Sequence, residues 1–328
     1  MALTIRPYTP ADYPALVAAH NAAYLDAAGE PIAALTLDEL REMDETRPPQ
    51  CRFARWVAAV DGAVVGAGEY DQAPHRFHPR KFWLELYVHP AHQGRGTGGA
   101  LYDQVLTALA ALDPLVIRTN IRADQERSLG FVQRRGWHET GRIWESALDV
   151  AQADLSSFAA TDARMAAAGI TIHTLPELAA DPDRDRKLYD LVWEVRQDLP
   201  AYDPPTQEPW DVFLRERLHH PSILPDAYFV AVRDGEYLGY VYHRTDATEP
   251  GVLHVAQLGT ARKVRGQGIA GALKVREVRY AQEHGYRRLR TTNESHNAPI
   301  LAINGRLGFV RRPAWIDWAY EFAPLPGP

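Results

Sequence analysis

Hydrophobic positions along the chain switch between a period of two and a helical period, and the whole alternation occurs twice. "WVAAVDGAVVGAGEY" (Trp56 to Tyr70) and "FVAVRDGEYLGYVYH" (Phe229 to His243) are apolar runs broken by Asp-Gly. That pattern predicts a hairpin with a two-residue turn. Each hairpin is preceded by a short strand, "LTIRPY" or "ITIHTL", and a helical stretch, "ADYPALVAAHNAAYLDAA" or "RKLYDLVWEVRQDL". Each is followed by a strand, "KFWLELYV" or "VLHVAQLGT", that runs into a glycine-dense loop. A helix leaves the loop, "GGALYDQVLTALAAL" or "GALKVREVRYAQEHG". A strand ("PLVIRTN", "RRLRTTN") and a helix ending near "RRGW" or "RLGF" come next, then a closing strand, "ESALDV" or "WAYEF".

The two series keep register. Gly266, Gly268 and Gly271 lie 172 residues after Gly94, Gly96 and Gly99, and Gly308 lies 172 after Gly136. The hairpin glycines, Gly62 and Gly235, are 173 apart. Solenoid repeats have periods of about 20–50 residues, so this spacing means two whole domains in tandem. The expected organisation is a domain over 1–150, a helical linker over 151–168 and a second domain over 169–328. The linker reading rests on "DLSSFAATDARMAAAG", with an Asp or Ser start and a Gly169 stop.

Composition narrows the class. A chain of 328 residues has room for two cores, and 46% hydrophobic with 24% charged residues is ordinary for a soluble globular protein. A formal net charge of −6 argues against a nucleic-acid coat. Only Lys81, Lys187, Lys263 and Lys274 are lysines among 36 basic residues, a bias read as GC-rich coding rather than selection for phosphate. Cys51 is the single cysteine, so no internal disulfide and no cysteine zinc cluster is expected. His75, His78 and His92 lack metal-ligand spacing, and no metal is predicted. The first residues carry no basic stretch followed by an apolar run, and no apolar segment approaches the ~20 residues of a span. A cytoplasmic monomer or homodimer with no membrane or nucleic-acid partner is the expectation.

The loops carry the chemistry. A strand entering a glycine-rich turn before a helix makes an anion seat, because unpaired first-turn N–H groups and the helix dipole point at the ligand. Gly94, Gly96 and Gly99 spell G-x-G-x-x-G, the dinucleotide spacing. The context disagrees. That fingerprint sits on the first βα turn, with an acid about 20 residues on. Here a hairpin precedes the loop, and "PLVIRTN" brings Arg118 where the acid belongs.

Read outward, "VHPAHQGRGTGGAL" resembles V-x-P-x-x-[QR]-G-x-G-x-[GA], the acyl-CoA motif of the GCN5-related N-acetyltransferase (GNAT) superfamily. Gln93, Gly94, Arg95, Gly96, Thr97 and Gly98 match it in the first copy. Arg265, Gly266, Gln267, Gly268, Ile269 and Ala270 match in the second. "NAPILAINGRLGF" resembles the family's second landmark, an Asn (Asn297) opening a helix that ends in Gly-Phe. The first copy keeps "RSLGFVQRRGW", with Asp124 or Gln125 near the Asn position.

The resemblance implies two tandem α+β domains, each a mixed, mostly antiparallel sheet flanked by helices and splayed to take acetyl-CoA or another short acyl-CoA. It implies direct acetyl transfer to a primary amine of a small molecule. The splayed strand ends correspond to Leu86-Tyr87-Val88 and Leu258-Gly259-Thr260, with Leu86, Val88, Leu258 and Thr260 as cofactor-binding candidates. Backbone N–H groups there polarise the acyl carbonyl. Arg95, Arg262, Lys263 and Arg265 are either phosphate partners or solvated surface.

Family enzymes often take a glutamate on this strand as base. Glu85 fills that place, competing with a plain exposed or ion-paired role; its counterpart is Gln257, which cannot accept the proton. The usual general-acid tyrosine falls on Val132 and Asn304, so both copies lack it. The segment with Asp198, Tyr202, Asp203, Glu208, Trp210 and Asp211 is either a cation-holding acceptor wall or an ordinary Pro-rich loop. Two rival readings stay open: an acyl-CoA-binding module with one or both copies silent, and a protein N-acetyltransferase.

Overall fold

The computed structural model describes residues 2–26, 29, 31–199 and 203–322. Along the chain these form β1 (Leu3–Pro7), α1 (Tyr13–Ala23), α2 (Leu37–Glu45), β2 (Ala54–Val60), β3 (Ala63–Asp71), β4 (Lys81–Val88), α3 (Thr97–Ala110), β5 (Val116–Arg122), α4 (Glu126–Gln133), β6 (His138–Asp149) and α5 (Thr161–Ala167). There follow β7 (Thr171–Thr174), α6 (Arg184–Gln197), α7 (Trp210–Phe213), β8 (Phe229–Arg233), β9 (Glu236–Thr245), β10 (Val252–Thr260), α8 (Ile269–Glu283), β11 (Arg288–Glu294), α9 (Ala298–Leu307), β12 (Val310–Arg311) and β13 (Trp315–Glu321). No helix among the described residues is long and apolar enough to cross a membrane.

The chain divides into two compact units. The first runs up to Gly141 and takes in the stretch from Ile316 on; the second is Arg142–Trp315. In the first unit the sheet order is β1-β2-β3-β4-β5-β13, in the second β7-β8-β9-β10-β11-β6 with β12 also on β6. Pairs β1 to β4 and β7 to β10 are antiparallel, and β4–β5 and β10–β11 are parallel. Each unit is therefore the mixed, mostly antiparallel α+β sheet that the resemblance implies.

The closing strands are exchanged relative to the sequence reading. "ESALDV" pairs along β11, from Arg288↔Asp149 to Glu294↔Ile143, in the second unit. The C-terminal β13 lies beside β5 in the first. Alternation predicts that a segment is a strand, but which open edge it joins is set by residues far away in the chain, so local pattern does not choose the partner.

The hairpin turns hold as expected. Asp61 and Gly62 sit at φ 49° and 88°, Asp234 and Gly235 at 51° and 76°; two positive φ values in succession match the twist of the flanking strands. In the first unit, alternate residues of β4 split between two cores. Phe82 and Leu84 pack with Tyr102, Val105, Leu109 and Trp137 under α3, joined by Ile316 and Trp318 of β13. Tyr87 packs with Leu16, Ala19 and Leu40 under α1 and α2. Each fully buried side chain of this size contributes about 1.5–3 kcal/mol.

Candidate acyl-transfer site

The parallel pair β4–β5 is zipped for three residues, Lys81↔Val116, Phe82↔Ile117 and Trp83↔Arg118, and then opens although both strands continue. On its other edge β4 stays paired to β3 from Asp71↔Trp83 to Gly66↔Val88. The His89 amide donates to the Val65 carbonyl at 2.8 Å. In an antiparallel ladder that phase commits residues 85, 87 and 89 to β3, so the peptide groups of Leu84, Leu86 and Val88 face the fork. A backbone edge left without a strand partner is free to hydrogen-bond a ligand.

A cavity of about 180 Å³ occupies this fork. Its walls are Leu84, Leu86, Tyr87 and Val88 of β4, Thr119 to Ile121 of β5, Gln93, Gly94 and Gly98 of the loop, and Gln125, Arg127, Ser128 and Phe131 of the α4 region; Tyr24 closes one side. The second unit forks in the same way. Strand β10 pairs with β11 only from Val252↔Arg288 to His254↔Arg290, and the Ala261 amide bonding Leu238 turns Leu258 and Thr260 to the open side.

The glycine loops close both forks. Gly94 and Gly96 lie at φ 75° and 87°, Gly266 and Gly268 at 79° and 84°, a region that favours glycine. Gly96 and Gly268 are the N-caps of α3 and α8, and the Ala100 and Ala272 amides return to their carbonyls at 3.0 and 3.1 Å. Amides of the first turn ahead of these lack helical partners and present an anion seat. Thr97 and Ile269 are buried beneath the loops, while Arg95, Arg265 and Gln267 lie on the exposed side. Gln93 donates through Nε2 to the Val88 carbonyl at 2.9 Å, tying the loop to the strand end. Ala270 is half-buried in the first turn of α8.

Asn297 is the N-cap of α9, and Gln125 holds the same place at α4 with nearly the same backbone angles, ψ 64° in both. Gln125, not Asp124, is thus the counterpart of Asn297. Val132 and Asn304 are buried at the two positions expected for a tyrosine. Asn304 donates to Asn293 Oδ1 at 2.8 Å.

Glu85 projects to the α1 side of the sheet. Its Oε1 accepts from the Tyr24 hydroxyl at 3.3 Å and lies 3.3 Å from His20 Nε2, with the side chain 38% exposed. The His20 ring stacks on Tyr24 at 4.4 Å and meets Tyr87 edge-on at 5.2 Å. Burial, reinforced by Glu85, pushes the Tyr24 hydroxyl well above its ordinary value, so it keeps its proton.

Sequence reasoning passed over two neighbours. Glu69 is the cross-strand partner of Glu85, and Arg55 is the partner of Glu69. Arg55 bonds Glu69 and reaches Asp44 at 2.7 Å. A carboxylate inside the apolar run "VVGAGEYD" was the available signal.

The second unit departs at these positions. Gln257 faces Tyr242 across the ladder, and Tyr242 stacks on Tyr228 at 5.1 Å. Gly259 is covered by Val195, whose Cγ1 would lie 2.3 Å from an added Cβ. Arg262 and Arg265 both pair with Asp198, at 2.6 and 2.7 Å, and Lys263 pairs with Glu236. Glu208 is held by Arg196 and Arg217 at 2.6 Å each. Asp198 and Glu208 are therefore engaged by arginines rather than offered to a cation. Trp210 opens α7 and stacks on Phe213, Asp211 follows it on α7, and Asp203 is buried. Tyr202 lies outside the described residues.

Comparison with known proteins places this arrangement. A mycothiol acetyltransferase of Amycolatopsis mediterranei is 28% identical over 270 residues, covering 80% of this chain and 82% of that protein. One of Streptomyces avermitilis is 27% identical over 227 residues, 69% of this chain and 67% of that one. Among solved structures, a tandem GNAT protein from the clavulanic acid biosynthesis pathway superposes with a TM-score of 0.74 at 20% identity, over 99% of this chain and 100% of its own. A GCN5-related N-acetyltransferase from Sphaerobacter thermophilus gives 0.69 at 22%, over 97% and 95%. The acetyltransferase (GNAT) family profile matches residues 16–137 and 186–309, one match in each copy, and the chain belongs to that family as a tandem-domain acetyltransferase.

Proposed function

We propose that the first unit transfers an acetyl group from acetyl-CoA, or another short acyl group from its CoA thioester, to a primary amine of a small molecule. The observation that carries this reading is the fork cavity lined by the glycine loop and by Tyr24, whose hydroxyl donates to Glu85 beside it. Bound there, the thioester supplies the carbon that forms the new C–N bond as its C–S bond breaks. Leu86 and Val88 hold the acyl arm and carbonyl through their backbone groups, with Gln93 to Gly98 receiving the phosphates. Glu85 takes the proton from the incoming ammonium. Tyr24, protonated in the same cavity, donates to the departing sulfur and recovers its proton from the one that the nitrogen sheds as the amide forms. Fixing the two reactants side by side supplies up to about 7–11 kcal/mol of the barrier reduction.

The second unit reads as an acyl-CoA-binding copy without turnover. Gln257 in the place of Glu85 and Val195 packed over Gly259 favour this. Leu258, Thr260, Arg265 to Ala270 and Asn297 would hold the ligand. Calorimetric titration of acetyl-CoA into wild type, Gly96→Arg and Gly268→Arg is expected to show two sites, each substitution removing one. If neither weakens binding, the acyl-CoA assignment is wrong. Thiol release across a panel of amines is expected in Gly268→Arg and lost in Gly96→Arg and Glu85→Gln; undiminished turnover in Glu85→Gln rules that residue out as base.

A further inference from the structure

The two forks share a backbone design but not an inner lining. In the first unit the cavity wall includes Ile121 of β5 and Val132 of α4, both buried. They belong to the core that also holds Phe82, Leu84 and Ile117, at and just past the last zipped pairs of β4 and β5. This end of the cavity is apolar. Its polar lining lies toward the mouth, where Gln125 caps α4 and Arg127 Nη1 comes within 3.4 Å of a Cβ placed on Gly94. The repeat spacing of 172 puts Asn293 in the place of Ile121 and Asn304 in the place of Val132. Both members of the apolar pair are thus amides in the second unit, and the amides bond each other, Asn304 Nδ2 donating to Asn293 Oδ1 at 2.8 Å. Asn304 is only 2% exposed, and its Oδ1 accepts no hydrogen bond from any described residue. A buried acceptor left unpaired destabilises the fold, and the first unit folds with valine in the same place. The fold does not require the amide pair, and its open acceptor fits a ligand that brings a donor.

Resting on the acyl-CoA reading of both forks, we propose that this pair of positions sets which thioester each unit takes: the first an unsubstituted aliphatic acyl group, the second an acyl group whose hydroxyl donates to Asn304 Oδ1. The direction of the fork carries the argument. The glycine loop seats phosphates at the open end, and the strand edge from Val88 back to Leu84 runs about 13 Å toward the zipped end. An arm laid along that edge delivers its acyl group to the inner lining. In the first unit that lining is Leu84, Ile121 and Val132, which reward a methyl group and give a hydroxyl apolar neighbours in exchange for water. In the second unit a hydroxyl completes the buried acceptor, whereas a methyl in its place leaves Asn304 Oδ1 unpaired. A site built around a hydrogen bond rejects the analogue that lacks it more strongly than an apolar site rejects an added hydroxyl.

The test is calorimetric titration of propionyl-CoA and glycolyl-CoA, which differ by a methyl in place of a hydroxyl, into the full chain carrying Gly268→Arg or Gly96→Arg. Gly268→Arg leaves the first fork open and is expected to bind propionyl-CoA at least about tenfold more tightly than glycolyl-CoA. Gly96→Arg leaves the second fork open and should reverse that preference by a similar factor. The same preference at both forks overturns the proposal. Adding Asn304→Val to Gly96→Arg should abolish the preference for glycolyl-CoA and keep the affinity for propionyl-CoA; a preference that survives overturns the role of Asn304. The loop substitutions leave the core untouched, so the comparison between the two forks decides the matter if Asn304→Val folds poorly. Binding of neither thioester at either fork overturns the acyl-CoA reading itself, whereas tight and equal binding of both overturns this inference alone.

Discussion

Gly96 and Gly259 are glycine for different reasons. At Gly96 a Cβ would meet nothing within 4 Å, but φ is +87°. Gly96→Ala is expected to cost about 1–2 kcal/mol through backbone strain alone. At Gly259 the obstacle is the side chain of Val195. Gly259→Ala should cost about 1–3 kcal/mol as overpacking, and Val195→Ala in the same chain should recover most of it. Denaturant unfolding of the singles and the double separates the two, since no neighbour can rescue Gly96→Ala. Tyr24→Phe keeps the ring that stacks on His20 and removes the hydroxyl that Glu85 accepts. It is expected to lower kcat by about 10² or more with acetyl-CoA affinity unchanged, because general-acid catalysis is typically worth 10²–10⁴-fold. The loop glycines were legible because positive φ selects one residue type. Glu69 was not, because a lone carboxylate in a strand shows no partner until the neighbouring strands are in register.

At the scale of elements, the paired strands, hairpins and loop helices fall where alternation and turn chemistry put them; "KFWLELYV" and "VLHVAQLGT" are β4 and β10 residue for residue. Helix α2 has a capping box, in which Thr36 accepts from the Glu39 amide at 3.2 Å, and it escaped notice because it is a short polar segment of nine residues. The closing strands make the sharper case. Trp318 is 6% exposed in the core of the first unit. Trp318→Ala is expected to cost about 3–5 kcal/mol there. Amide exchange should then accelerate through β4 and β5 and leave β9 and β10 protected; acceleration confined to β9 and β10 would show that this strand supports the second unit instead.

At the scale of the molecule, two groups set opposite pH trends. Arg6 holds Asp12 down at about 2, below its ordinary 3.8. That stabilisation is present above about 4 and lost as pH falls toward 2. Glu69 runs the other way: its folded value near 7 lies above the ordinary 4.5. The folded state binds its proton more tightly, so that contribution is full below about 4.5 and fades as pH rises through 7. Glu69→Gln should therefore lose less stability at pH 8.5 than at pH 5.5, measured as the midpoint of chemical denaturation against wild type.

The amino-acid sequence by itself determined the duplication, the strand–loop–helix units and the family, because periodicity, Asp-Gly turns and loop glycines express local backbone preferences. It also showed that Gln257 replaces Glu85. Tertiary structure alone decided which edge each closing strand joins, that Val195 covers Gly259, that Asp198 and Glu208 are spent on arginines, and that Arg55, Glu69 and Glu85 form one row. Each of these depends on residues far apart in the chain meeting in register, and no local pattern encodes that.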